Sequence, residues 1–132
     1  MPLNHSTKKP TKAEQERLTA LHNLPCLACA FEIEQLAKAG KTLTQPFPTE
    51  ADHLVDKGSR VLSGGHMATI PLCGHHHRGQ QLLGFTASQM ERIYGPSKAL
   101  NKKAFEARYG GPRIMLVETD ALIASNRHED FA

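Results

Sequence analysis

Residues 71–79 read PLCGHHHRG, one cysteine and three consecutive histidines in a stretch too short to bury all of them in an apolar core. The spacing is that of a metal knuckle. Cys73-Gly74-His75-His76 offers a thiol and an imidazole three residues apart, with a small glycine where the chain must turn. A matching pair, Cys26-Leu27-Ala28-Cys29, lies far upstream. Zinc knuckles combine two such short-spaced pairs, because each turn can aim two side chains at one ion. Cys26, Cys29, Cys73 and His76 therefore form a four-ligand structural zinc site that uses every cysteine in the chain. A thioredoxin-like redox pair is disfavoured, since no βαβ pattern surrounds Cys26 and Cys29. Cys73 and His77 are also helical neighbours, so an exchange that puts His77 on zinc and His76 elsewhere stays open. His75 points a third way and is expected in solvent.

The rest of the composition fits a small domain that needs such a staple. The chain has 132 residues, no tryptophan and 5% aromatic residues, which limits the core to aliphatic side chains and a few phenylalanines. Three cysteines cannot all pair as disulfides, and neither a signal-peptide pattern nor a membrane-length apolar run is present. A cytoplasmic location with reduced thiols is the expectation, and no membrane partner. A formal net charge of +3 permits nucleic-acid binding without demanding it.

Residues 1–10 read as a disordered basic arm and 11–132 as a single domain. Thr11 opens a capping box, TKAE, that starts a helix running to about Leu21. A second helix is expected over 30–40, ending at Gly40. EADHLV (50–55) reads as a short strand, residues 56–66 as a glycine-rich basic loop, and MATIPLC (67–73) as a second strand that completes a hairpin. The triple histidine then opens a helix. Further helices are expected after the Thr86–Gln89 capping box, from Ser97 to Gly110, and over 112–125. The class is α+β: a short antiparallel hairpin with several flanking helices.

Asp52-His53 adds a second chemistry. A carboxylate for a hard divalent cation stands next to an imidazole able to act as a base, the two functions that phosphodiester hydrolysis requires. Successive residues on a helix point about 100° apart. His76 can therefore face the zinc while His77 faces the strand that carries Asp52.

The order of these parts resembles the HNH endonucleases with the ββα-metal fold. Their zinc-stapled type reads Cys-x-x-Cys, Asp-His, then Leu-Cys-x-x-Cys-His, matched here by Cys26, Cys29, Asp52, His53, Leu72, Cys73, His76 and His77. More narrowly, EADHLV, GGHMATIPLCGHHHRG and KKAFEARYG look like the phage-encoded Ref family, nucleases that cut DNA where RecA filaments are bound. The resemblance implies that His53 is the general base and that Asp52 and His77 hold a catalytic Mg²⁺ or other divalent cation. It also implies DNA and a RecA filament as partners. The middle asparagine of many HNH enzymes is missing, and His66 is given its orienting role by position alone. Arg78 is a candidate grip on the scissile phosphate, and Lys57, Arg60, Lys102 and Lys103 are candidates for contacts with backbone phosphates. The competing reading is a non-enzymatic zinc module that binds nucleic acid or protein. An RNA- or base-modifying enzyme finds no aromatic platform and no His-x-Glu signature in its favour.

Overall fold

A computed structural model describes residues 9–130, with side chains through Asn126. Apart from Lys9 and Pro10, the expected basic arm lies outside the described residues. Helix α1, Lys12–His22, begins at the predicted capping box: Thr11 Oγ1 accepts from Glu14 N at 3.2 Å, and Glu14 Oε1 accepts from Thr11 N at 2.9 Å. Two of the backbone donors that any helix start leaves open are thereby satisfied. Helix α2, Leu27–Lys38, starts earlier than predicted, because Cys26 itself is the N-cap.

Strands β1 (Thr49–His53) and β2 (Thr69–Cys73) pair antiparallel, with Thr49 opposite Cys73 and His53 opposite Thr69. β2 is buried throughout, and Pro71 is tolerated there because the sheet has two strands and Pro71 can sit on a free edge. On β1, residues two apart share a face, so Glu50 and Asp52 point one way and Ala51 and His53 the other. The segment between the strands is less loop-like than its glycines suggest. Ser59 caps a single-turn helix, α3 (Arg60–Ser63), and a 3₁₀ turn follows over Gly65–Met67. Arg113 fastens this segment from outside, forking Asp56 at 2.7 and 2.8 Å and donating to the Ser63 carbonyl at 3.0 Å.

Helix α4, Gly74–Arg78, contains the triple histidine and stops at Gly79, whose φ of 76° ends the turn. Helix α5, Ala87–Tyr94, follows the predicted Thr86–Gln89 box. Helix α6, Lys102–Tyr109, starts five residues later than expected. Asn101, not Ser97, is its cap, and the intervening residues are held elsewhere: Lys98 N donates to the His76 carbonyl at 2.9 Å. Helix α7, Pro112–Asp130, closes the chain. Among the described residues, no helix is long and apolar enough to cross a membrane.

The core gathers around β2. Leu54, Ile70, Leu72, Phe105 and Met115 pack with Cys26, Cys29 and Cys73, so the three thiols lie inside the main apolar cluster. A smaller cluster of Leu21, Leu24 and Ile123 joins α1 to α7. Arg17 crosses between them, donating to Thr69 Oγ1 at 3.0 Å and Thr69 O at 2.7 Å while its other nitrogen meets Asp120 at 2.7 Å. A guanidinium this deeply buried is tolerable because every face of it has an acceptor.

Candidate metal centre and the adjoining carboxylate–histidine cluster

Each half of the knuckle is built in the same way. Cys26 is the N-cap of α2 and Cys29 its third residue; Cys73 is the N-cap of α4 and His76 its third residue. A side chain at the cap and one at the third position of a helix lie on the same side, as in a capping box, so an x-x spacing brings two donor atoms together. Cys26 Sγ accepts from Cys29 N at 3.4 Å, which places a sulfur where the helix start favours negative charge.

The four donor atoms lie within 4.8 Å of one another and all four residues are buried. His76 Nδ1 stands 3.5 Å from Cys26 Sγ and 3.4 Å from the other two sulfurs, and the Cys29 and Cys73 sulfurs are 3.6 Å apart. Tetrahedral zinc with ordinary bond lengths requires edges of about 3.8 Å between sulfurs and about 3.6 Å from sulfur to nitrogen. The cluster therefore fits a zinc ion. Its charge balance points the same way. The Cys73 thiol is driven far down by hydrogen bonds from Cys26 and Cys29, and Cys29 is driven far up by those with Cys26 and Cys73. Burial acts to lower the His76 pKa, but hydrogen bonds to Cys26 and Cys73 carry it to about 10.

The outer contacts hold His76 in register. Its Nε2 lies 2.8 Å from the Tyr94 carbonyl, which fixes the tautomer that leaves Nδ1 facing the sulfurs. The Tyr109 hydroxyl, 3.3 Å from the same carbonyl, donates to buried Glu32 at 2.9 Å, and Arg108 forks that carboxylate. Gly95 is required here: a Cβ at that position would stand 1.9 Å from the Tyr109 hydroxyl.

His77, the next residue on α4, points away from the Cys₃His cluster toward β1. Its Nδ1 lies 2.8 Å from Glu50 Oε1 and its Nε2 3.4 Å from Asp52 Oδ1. Beyond them, Arg78 Nη2 meets Glu50 Oε2 at 2.8 Å, and Lys98 Nζ meets Asp52 Oδ2 at 2.5 Å. The result is a linear array, Arg78–Glu50–His77–Asp52–Lys98, of alternating charge. Hydrogen bonds to Asp52, and then to Glu50, raise the His77 pKa against the effect of burial. Burial acts to raise Asp52, but His77 and Lys98 outweigh it and hold the carboxyl below its usual range. Arg78 chiefly, with His77, holds Glu50 low as well.

His53 leaves β1 on the opposite face, where its Nε2 lies 2.9 Å from His66 Nδ1 across the 3₁₀ turn. The two rings meet edge to face at 5.0 Å. Burial, the nearby Arg60 charge and His66 together bring the His53 pKa down to about 4, so at neutral pH this ring is uncharged. With Nε2 engaged by His66, Nδ1 of His53 is the nitrogen available to a proton.

The expected site residues thus fall into three adjoining groups. Cys26, Cys29, Cys73 and His76 converge, and His77 lies outside that group, which supports His76 over His77 as the fourth member. Asp52 and His77 meet, and His53 meets His66. The expectation for His75 is overturned: it is 1% exposed, because the turn of α4 carries it under residues 94–97, where its Nε2 meets the Gly95 carbonyl at 2.8 Å. Arg78 is joined to Glu50 by three hydrogen bonds of 2.8–3.0 Å. Lys57 and Arg60 are exposed on the segment between the strands, and Lys102 and Lys103 are exposed on the first turn of α6. Positive side chains at a helix start oppose the helix dipole, so those two lysines do not serve α6 itself. Sequence reasoning missed Glu50 and Lys98. Glu50 had a usable signal, its place two residues before Asp52 on the same strand face.

A profile of the family described as recombination enhancement, RecA-dependent nuclease, matches residues 10–124 of this chain. No curated protein and no solved structure matches it.

Proposed function

Because the chain belongs to the recombination-enhancement, RecA-dependent nuclease family, we propose that it is a metal-dependent DNA endonuclease of the HNH type that acts on RecA-coated DNA. The observation that supports this reading most is the meeting of Asp52 Oδ1 with His77 Nε2 at 3.4 Å, with an uncharged His53 next to Asp52 in the chain and near enough for both charges to be felt at its ring. One oxygen and one imidazole nitrogen at that separation suit neighbouring ligands of a single divalent cation. Glu50, on the far nitrogen of His77, supplies the carboxylate that orients such ligands. Asp52 and His77 would hold Mg²⁺ or a similar ion, which when bound offsets charge on the phosphate. The Cys₃His cluster holds structural zinc.

The remaining work belongs to the chain itself. His66 fixes the His53 ring so that Nδ1 faces the attacking water. His53 takes the proton as the water oxygen bonds to phosphorus, and the bond to the 3′ oxygen breaks in line, leaving a 5′ phosphate. Lys57, Arg60, Lys102 and Lys103 contact backbone phosphates without reading sequence. Arg78 acts by holding Glu50 in place.

Replacing His53 with alanine tests the assignment. The variant should lose about 10²–10⁴-fold in nicking of circular DNA with Mg²⁺. Its zinc content and circular dichroism should stay unchanged. Undiminished cleavage would remove His53 as the base, and absence of nicks by the unaltered protein with Mg²⁺, Mn²⁺, RecA and ATP would favour the non-enzymatic zinc module. Cutting of DNA only when RecA and ATP are present would support filament dependence.

A further inference from the structure

Lys98 is left without a role by the reaction as described, yet it is the most closely held cation in the cluster. Its ammonium lies 2.5 Å from Asp52 Oδ2, with a side chain 17% exposed against a carboxylate 8% exposed. Its backbone N–H is bonded to the carbonyl of His76, so the residue is fixed to α4 from behind. Long lysine side chains seldom give up water in this way unless the partner charge repays them.

The array also has a telling sum. With His77 neutral, as a metal ligand must be, the charges of Arg78 and Lys98 cancel those of Glu50 and Asp52. Arg60, whose charge is felt at His53, adds further positive potential on the other face of β1. A divalent cation approaching Asp52 Oδ1 and His77 Nε2 thus meets no net negative charge. Hard cations depend on a surplus of anionic oxygen, which a mononuclear site with one carboxylate supplies poorly and one with a neutralised carboxylate hardly at all. A DNA phosphate brings the missing negative charge.

Resting on the assignment of Asp52 and His77 as the cation's ligands, we propose that Lys98 neutralises the catalytic carboxylate in the free protein, so that the divalent cation is taken up together with the DNA phosphate. Lys98 is a positioning residue that acts through Asp52. By holding Oδ2 it keeps Oδ1 turned toward His77, and by its charge it keeps the site weak until substrate arrives. The device guards against cleavage chemistry being assembled in the absence of the intended substrate.

The test is Mn²⁺ binding, read by electron paramagnetic resonance on zinc-loaded full-length protein carrying His53→Ala so that no DNA is cut. With Lys98 present, Mn²⁺ should bind weakly alone and at least tenfold more tightly once a short duplex is added. Lys98→Met should bind Mn²⁺ about tenfold or more tightly without DNA, with little further gain on adding it. Lys98→Arg, which keeps the charge, should behave as the parent, and the melting temperatures of all three report whether each has folded. Equal or weaker Mn²⁺ affinity in Lys98→Met would overturn the proposal, as would Lys98→Arg behaving like Lys98→Met, since geometry and not charge would then be responsible. If no protein binds Mn²⁺ even with DNA, while Asp52→Asn leaves cleavage of the His53-containing protein intact, the ligand assignment falls and the proposal with it.

Discussion

Glu50→Gln and Glu50→Ala separate cation binding from chemistry at this site. Glu50 touches neither the base nor the proposed cation position; it reaches His77 Nδ1 at 2.8 Å and is clamped by Arg78 through three hydrogen bonds. In the free protein it helps to raise the His77 pKa, and with a cation on Nε2 it would accept the remaining N–H and so keep the ring aimed. Loss of such an outer carboxylate costs about 10–100-fold in metal affinity. Glutamine keeps a carbonyl oxygen for His77 but loses the charge, so it should fall near the lower figure; alanine also frees the ring and leaves Arg78 unpaired, and should fall near the upper one. Plasmid nicking followed across a Mg²⁺ titration gives both quantities. The Mg²⁺ concentration for half-maximal rate should rise about tenfold in Glu50→Gln and about a hundredfold in Glu50→Ala, while the rate at saturating Mg²⁺ stays within about threefold of the parent. A fall in the saturated rate with the Mg²⁺ midpoint unmoved would refute the reasoning and give Glu50 a direct part in catalysis.

Two further outcomes follow from the same geometry. Cys29→Ser should lower zinc stoichiometry and melting temperature together, by several kcal/mol of unfolding free energy, because the thiols are core residues as well as proposed ligands; unchanged melting of the unaltered protein after chelation would show that the cluster is not structural. The acid limb of kcat/KM at saturating Mg²⁺ should lie near pH 4, where His53 takes a proton, and not near its ordinary 6.5. The sign is that of a lowered pKa: the stability due to this residue is fully present above 6.5 and is lost as pH falls from there through the folded value near 4, whereas activity, which needs the neutral ring, persists down to that folded value. At limiting Mg²⁺ the limb should move up, since His77 has a raised pKa and must lose its proton to bind the ion; a limb fixed near 6.5 at every Mg²⁺ level would remove His53 as the titrating base.

The parts of the site that were legible in the sequence are those fixed within a few residues of chain. Cys26/Cys29 and Cys73/His76 could be paired from spacing alone because the cap and third-residue positions of one helix must meet. The capping boxes at Thr11 and Thr86 and the hairpin were readable for the same local reason. Lys98 was not, since nothing near it in the chain announces Asp52; the pairing arises only because the segment after α5 is drawn onto the back of α4. His75 failed for a related cause. Its sequence neighbourhood is polar, but the carbonyl of Gly95 reaches over it and makes a buried imidazole acceptable. The start of α6 was misplaced because Ser97 is as good a cap in isolation as Asn101, and a tertiary hydrogen bond made the choice.

Helix α4 is only five residues long, with His76 and His77 side by side. A single turn has no length over which to absorb a twist, so it behaves as a rigid crank: any rotation that reseats His76 swings His77 through the same angle. An error of a few tenths of an ångström at the Cys₃His cluster arrives at Asp52 undiminished. On the proposed reading, the alignment tolerance of the Asp52–His77 pair is set at the Cys₃His cluster, and substitutions that swap one of its four residues for another of different reach should act as misalignment of His77 even in a protein that folds and holds its metal.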